Sequence, residues 1–331
     1  MNPLTGEKVL VTGATGFLGG ALALRLANDG VQIQALVRRE GQDRFLRDVP
    51  GITLVNGQLA DSGSLEAAMQ GCSVVFHVAA ALGGSADLQQ QVNVEGTRHL
   101  MQAAARKQIS RVVHVSTISV YGYRNTSDVT EATPMNPAYD PYSQTKAEAE
   151  TVVHQEGQRL GVPYTIMRPG MIYGPRSSAW TAGMFRMGKR NPTIFIGSGS
   201  GSAFPIYVDD VVDMLVTLAH HPGTEGETFN CTPDPSPTWR AFVGGYSKLA
   251  GHQNWLDLPP SLFTPIAWLG RLFSERNSQR RDLPDLLAFI QRYITYKTDK
   301  ARTVLGWQPQ VTLDEGIRRC EPWLREIGLL A

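Results

Sequence analysis

Two side chains one helical turn apart carry the most distinctive chemistry in this sequence: Tyr142 and Lys146, in Pro141-Tyr-Ser-Gln-Thr-Lys146. Pro141 opens a long helical pattern, which sets both on one face. A free phenol titrates near pH ~10 and is a poor base in neutral water. A neighbouring ammonium favours the phenolate and is expected to draw that pKa toward the working range, making Tyr142 a general acid or base. Tyr139 is weaker, because Ser143 and not a lysine stands four residues on. A third group comes from the apolar run beginning at Arg111, which ends in Ser116-Thr117-Ile118-Ser119. A hydroxyl there could polarise a substrate oxygen. His77 and the His220-His221 pair have no partners at ligand spacing, so no metal site is expected.

These groups need a second reactant, and the start of the chain offers a seat for one. Val9-Leu-Val-Thr-Gly13-Ala-Thr-Gly16-Phe-Leu-Gly19 passes from a strand into a helix. Gly13 suits the tight turn, Gly16 lets backbone approach a pyrophosphate, and Gly19 allows close helix packing, with the helix N-terminus facing the phosphates. A nicotinamide dinucleotide is the expected cofactor. The second strand ends Val37-Arg38-Arg39. Val37 cannot accept a bond from a ribose 2′-hydroxyl, whereas Arg38 and Arg39 can grip a 2′-phosphate, so NADP(H) is favoured over NAD(H).

The elements that must position these residues alternate. Strands are expected at Lys8–Ala14, Gln32–Val37, Ile52–Val55, Ser73–Ala79, Arg111–Ser116 and Tyr164–Arg168. Helices are expected at Phe17–Asn28, Ser64–Gln70, Leu88–Lys107 and Tyr142–Leu160. Repeated strand–helix units with near-continuous apolar strands predict an α/β Rossmann fold, a doubly wound parallel sheet, with a smaller C-terminal substrate-binding lobe. The dinucleotide-binding core is placed at 7–175, with 203–232 returning to it, and the lobe at 176–202 and 233–331. Ile206–Val208 and Glu227–Asn230 are the returning strands, around a helix at Asp209–His220. In the lobe, Leu262, Ile266, Leu269 and Phe273 recur at helical spacing, either as core or as an apolar lid or membrane-surface contact. The basic run from Arg276 to Arg281 reads as a solvated loop.

Composition narrows the class. The 331 residues are 42% hydrophobic and 18% charged, enough for a sizeable core, and a net charge of +1 argues against nucleic-acid binding. Three scattered cysteines form neither a disulfide framework nor a zinc spacing, and no apolar run reaches the ~18 residues of a membrane span. A polar start that runs straight into a strand completes the expectation of a cytoplasmic protein.

Taken together, the chain resembles the extended short-chain dehydrogenase/reductase superfamily, of the NAD-dependent epimerase/dehydratase type. The motifs run in order along nearly its whole length: Thr12-Gly13-x-x-Gly16-x-x-Gly19, Phe76-His77-Val-Ala-Ala80, Asn93-Val-Glu-Gly96-Thr97, Val115-Ser116-Thr117, Val120-Tyr-Gly122, Tyr142-x-x-x-Lys146, Arg168-Pro169-Gly170, Tyr173-Gly174-Pro175 and Val208-Asp-Asp210-Val211, then Leu305-Gly306-Trp307-x-Pro309 near the end. The resemblance implies that Tyr142 is the general acid/base and Lys146 its modulator and ribose contact. Thr117 is the hydroxyl that bonds the substrate oxygen, with Ser116 in reserve. It implies a dinucleotide held by Gly13, Thr15, Gly16, Phe17, Leu18, Arg38, Gln58, Leu59, Ala79, Ala80, Ala81, Tyr142, Lys146 and Pro169, with Asn93 as a structural bond maker beside the site. It also leaves room for a homodimer.

Departures from the family pattern guide the choice of reaction. Gln58 replaces the usual aspartate after the third strand, Ile118-Ser119 replaces the Asp-Glu of nucleotide-sugar dehydratases, and Ala203 stands where epimerases place a diphosphate-binding arginine. The expected activity is therefore an NADP(H)-dependent ketoreductase or alcohol dehydrogenase acting on a largely apolar small molecule, nearest the 3β-hydroxysteroid dehydrogenase and dihydroflavonol reductase-like branch. The alternatives are a nucleotide-sugar epimerase with tightly bound NAD and a non-enzymatic dinucleotide sensor.

Overall fold

The computed structural model describes residues 3–38, 45–122, 128–138, 140–262 and 289–331. Arg39, Tyr139, Ile266, Leu269, Phe273 and the run from Arg276 to Arg281 lie outside these residues. Seven strands, numbered in chain order, build one sheet: β1 (Lys8–Thr12), β2 (Gln32–Val37), β3 (Ile52–Asn56), β4 (Val74–His77), β5 (Arg111–Val115), β6 (Tyr164–Pro169) and β7 (Thr228–Cys231). Their spatial order is β7-β6-β5-β4-β1-β2-β3, and every pairing is parallel. The order reverses between β1 and β4, where Thr12 lies beside His77 in register. In an open α/β sheet the crevice beyond the strand ends at such a switch point is where ligands bind.

The strands end where their apolar runs end. Buried residues fill β1, β4, β5 and β6 almost without a break, as expected for strands covered on both faces. Phe17–Asn28 packs against Val208–His220, while Gly96–Arg106 packs against Ser62–Ala68 and Pro141–Leu160. Local chemistry sets the ends of the 20-residue helix Pro141–Leu160. The Asp140 carboxylate caps the Ser143 amide, Pro141 starts the first turn, and Gly161 closes the helix in the left-handed conformation.

One of the two returning strands departs from expectation. Thr228–Cys231 joins the main sheet beside β6, but Pro205–Tyr207 pairs with Met171–Tyr173 in a separate two-stranded ribbon. The cause is steric: Gly170 is so close to the Phe204 carbonyl that a Cβ would approach it to 2.4 Å, and the Met171 amide bonds that same carbonyl. The chain after β6 is thereby drawn to Phe204 and away from the sheet. Beyond it, Thr193–Ile196 pairs with Trp255–Leu258, and Trp239–Leu249 packs on Met184–Gly188 and Leu313–Arg319. The buried Asp210 carboxylate accepts the Gln310 and Val311 amides and so ties the C-terminal segment to Val208–His220. Among the described residues one apolar cluster runs from Val11 and Leu22 through Phe204 to Ile317 and Leu324, and a second gathers Leu10, Leu59, Leu100 and Val153.

The glycine loop is closely packed. A Cβ on Gly19 would lie 2.3 Å from the Gly13 carbonyl oxygen. Gly19→Ala should therefore destabilise the chain by about 1–3 kcal/mol, the usual cost of overpacking, read as a lowered denaturant midpoint. Gly83→Ala, where a Cβ meets nothing within 4 Å, should leave it unchanged.

Candidate active site

The sheet's carboxyl edge gathers most of the residues singled out by sequence. Gly13 takes φ +71°, and a Cβ there would lie 2.8 Å from the Ala79 amide nitrogen, so the glycine loop rests directly on the backbone after β4. The Thr12 hydroxyl accepts the Val78 and Ala79 amides, each at 3.1 Å. Gly16 is exposed at the start of Phe17–Asn28, and no side chain caps that helix. A close-packed glycine cradle under an uncapped helix start fits a pyrophosphate, which needs backbone amides and close approach.

Not every residue assigned to the dinucleotide offers a side chain to it. Arg38, just past β2, is exposed and makes no ion pair among the described residues. Gln58 is exposed beyond β3, its own backbone tied to Ser64 Oγ. Leu59 points inward instead, its Cβ packed on Gly96 in the second apolar cluster. Only its backbone faces a polar partner, His99 Nδ1.

The Ala79–Ala81 loop and the tyrosine helix are braced by one side chain. Asn93 Oδ1 accepts the Ala81 amide at 2.7 Å, and its Nδ2 donates to the Ala81 carbonyl and to Thr145 Oγ1. Behind Asn93, Thr97 donates to the Asn93 carbonyl and accepts from His77 Nε2, while His77 Nδ1 takes the Thr12 hydroxyl. That network fixes the Nε2–H tautomer of His77 and connects β1, β4 and the tyrosine helix.

Thr117, Tyr142 and Lys146 come together as the motif order implied. Thr117 opens the turn after β5, accepts the Ser119 amide at 3.2 Å, and its hydroxyl bonds the Tyr142 phenol. Lys146 is buried, with Nζ donating to the Val115 carbonyl at 2.8 Å and lying 3.4 Å from His114 Nε2. The electrostatics depart from expectation. Burial pushes the phenol up to about 12, opposed by the Thr117 hydrogen bond. Burial also brings the Lys146 ammonium down to about 8, opposed by the Glu150 carboxylate. Desolvation is the largest cause for both groups, so at neutral pH Tyr142 is a neutral phenol and Lys146, one turn along the helix, an ammonium.

Ser116 is not free for substrate. Its hydroxyl donates to Glu150 Oε1, and Glu150 in turn takes the Arg168 guanidinium through Nε at 2.9 Å and Nη2 at 2.6 Å. Both charged partners are buried. Arg168 continues to the Tyr121 hydroxyl at 2.8 Å, and Tyr121 donates to Asn230 Oδ1. Sequence reasoning passed over Glu150 and His114. The signal for Glu150 was present, since Tyr142, Lys146 and Glu150 recur every four residues on one helix face. Ser119 Oγ and His114 Nδ1 are buried without a hydrogen-bond partner.

Two cavities elsewhere, of about 400 Å³ beside Arg240 and Trp255 and about 230 Å³ among Pro205, Pro233 and Tyr173, contain none of the three catalytic candidates. Among the described residues no group of three His, Cys, Asp or Glu side chains is placed to hold a metal ion, and no helix is long and apolar enough to cross a membrane.

The chain is similar to known proteins in sequence and in fold. The family model described as NAD dependent epimerase/dehydratase family matches residues 9–232. The chain is 28% identical over 81% of its length to 3beta-hydroxysteroid-dehydrogenase/decarboxylase isoform 1 of Arabidopsis thaliana, of which it spans 66%. It is 30% identical over 96% of its length to UDP-glucose 4-epimerase of Mycolicibacterium smegmatis, covering 98% of that protein. The crystal structure of gox2253 superposes with a TM-score of 0.84 at 25% identity, covering 98% of this chain and all of the other.

The buried imidazoles make a testable demand on stability. Burial drives His77 down to about 3 and His114 well below 6.5, so both stay neutral when folded. Once unfolded they take up protons below about 6.5, and stability must fall as pH drops through that range, by ~1.4 kcal/mol per imidazole per pH unit. Urea unfolding at pH 7, 6 and 5 should show this slope, and His77→Gln should remove about half of it. An unchanged slope in the variant would count against a neutral His77.

Proposed function

Since the chain belongs to the NAD dependent epimerase/dehydratase family, whose members are NAD(P)-dependent enzymes, we propose that it is an NADP(H)-dependent ketoreductase or alcohol dehydrogenase acting on a largely apolar hydroxy/keto compound. The observation that carries this reading is Ala203. It is fully buried in the apolar core, and Phe204 beside it is buried as well. Neither residue offers a diphosphate substrate a positive charge at this position. The hydroxysteroid dehydrogenase among the relatives supports the apolar class. The epimerase relative, at 30% identity along nearly the whole chain, supports a second reading, a nucleotide-sugar epimerase with tightly held NAD.

In the proposed site the glycine cradle, Arg38, Pro169 and the Ala79–Ala81 loop seat the dinucleotide, and 176–202 with 233–331 form the substrate lobe. A bound nicotinamide supplies or accepts the hydride. Tyr142 donates a proton to the carbonyl oxygen as it gains charge, and Thr117 fixes the phenol's orientation. The Lys146 ammonium stabilises the phenolate left behind and reaches the ribose.

The reading is tested by assaying NADPH oxidation with apolar ketones against turnover of UDP-glucose. Epimerisation of the sugar with no ketone reduced would overturn it. Tyr142→Phe should abolish turnover while leaving NADPH affinity nearly intact, because only the transferable proton is lost. Ketone reduction should decline as pH rises through about 8, where Lys146 loses its charge. Arg38→Ala should weaken NADPH binding far more than NADH binding, and equal weakening would remove the 2′-phosphate assignment.

A further inference from the structure

Arg176 occupies a position that the proposed chemistry does not yet use. The Ser177 amide bonds the Gly174 carbonyl, closing a turn over Gly174-Pro175-Arg176-Ser177. Arg176 is third in that turn, with φ +75°. A turn with proline second and a left-handed third residue normally places glycine there, because any Cβ is crowded. The strain is held in place: the Gly174 amide and carbonyl both bond the buried Thr181 hydroxyl, at 3.0 and 2.8 Å. A backbone outlier so firmly imposed on an arginine calls for a use of its side chain.

That side chain is aimed, not loose. Its guanidinium lies 3.5 Å from the centre of the Phe45 ring. Phe45 packs edge-on to Gly20, where a Cβ would come within 2.9 Å of the ring. From the other side, a Cβ on Gly174 would meet Val208 at 2.7 Å and the Phe17 ring at 3.5 Å. Phe17 and Gly20 both belong to the first turns of the helix that opens from the glycine cradle. Through Phe45 the cation is therefore tied to the first turns of that helix. It is exposed and forms no ion pair among the described residues; the acid whose field reaches it is Glu326.

We propose that Arg176 is a ligand of the dinucleotide pyrophosphate, a cation held over the glycine cradle by a strained turn and the Phe45 ring. The inference rests on the dinucleotide reading above. It assigns to Arg176 the phosphates shared by NADPH and NADH, and leaves the 2′-phosphate to Arg38. A planar guanidinium suits two phosphate oxygens at once, and stacking on an aromatic ring lowers the freedom it loses on binding.

The test uses the full chain and reads binding rather than turnover. Arg176→Gly removes the cation and also places glycine where the turn favours it. The expected result is an approximately tenfold rise in the dissociation constants of NADPH, NADH and ADP-ribose alike, with the melting temperature unchanged or higher. Affinity for adenosine 2′-phosphate, which has no pyrophosphate, should stay the same. Undiminished dinucleotide affinity, or a loss confined to NADPH, overturns the assignment. So does a lowered melting temperature with all four ligands weakened together, which would mark Arg176 as a structural stacking residue. Wild-type protein that binds neither NADPH nor NADH would instead sink the dinucleotide reading itself.

Discussion

A carboxylate with no exposed surface holds the reactive helix in place. Glu150 lies one turn beyond Lys146, facing β6, and takes the fork of Arg168 together with the hydroxyl of Ser116 at the end of β5. Removing two charges from water is costly, and such a pair adds little net stability over well-packed apolar residues. Its effect here is geometric. A bidentate pair tolerates little sliding or rotation, so the register of Pro141–Leu160 against β5 and β6 is fixed at the turn where it matters. Lys146 Nζ, on the turn before, then falls on the Val115 carbonyl, and Tyr142, a turn earlier still, falls beside Thr117.

A second polar chain serves the other half of the crevice. From Thr12 through His77, Thr97 and Asn93 to Thr145, each hydroxyl or ring nitrogen has a partner on a neighbouring element. The chain crosses the switch point between β1 and β4, where no strand-to-strand loop could connect the glycine turn to the tyrosine helix. His77 must be neutral for this, since one ring nitrogen accepts and the other donates, and burial keeps it so. The two networks meet at the tyrosine helix, through Thr145 on one side and Glu150 on the other. The helix that carries the phenol is thus tied to the elements on both sides of the crevice.

Much of this was legible in the chain because its signals are local. Apolar runs located all seven sheet strands to within a few residues, and Pro141 and the glycines of 13–19 marked their turns in the right places. What stayed hidden depends on distant neighbours. Glu150 repeats the spacing of Tyr142 and Lys146, but its meaning comes from Arg168, which only the β5–β6 pairing brings beneath it. Pro205–Tyr207 has the pattern of a sheet strand, yet the closeness of Gly170 to Phe204 diverts it to a ribbon. Leu59 sits where a cofactor contact is expected in sequence, but a buried glycine partner, Gly96, claims its side chain.

The largest departure concerns charge, and it bears on the direction of the chemistry. Spacing alone suggested that an ammonium would lower the phenol's pKa, but spacing says nothing about water. In the folded chain desolvation dominates both groups, driving the phenol up to about 12 and the amine down to about 8. In the proposed reduction this makes Tyr142 a poor base and a well-kept proton donor at neutral pH. A carbonyl oxygen receiving a hydride becomes an alkoxide, a stronger base than any phenolate, so transfer from such a phenol is still downhill. In the proposed reaction the cation available to the phenolate that remains is Lys146, one turn along the same helix. A cation that leaves the resting phenol neutral yet favours the phenolate would supply the differential stabilisation that a catalytic step requires.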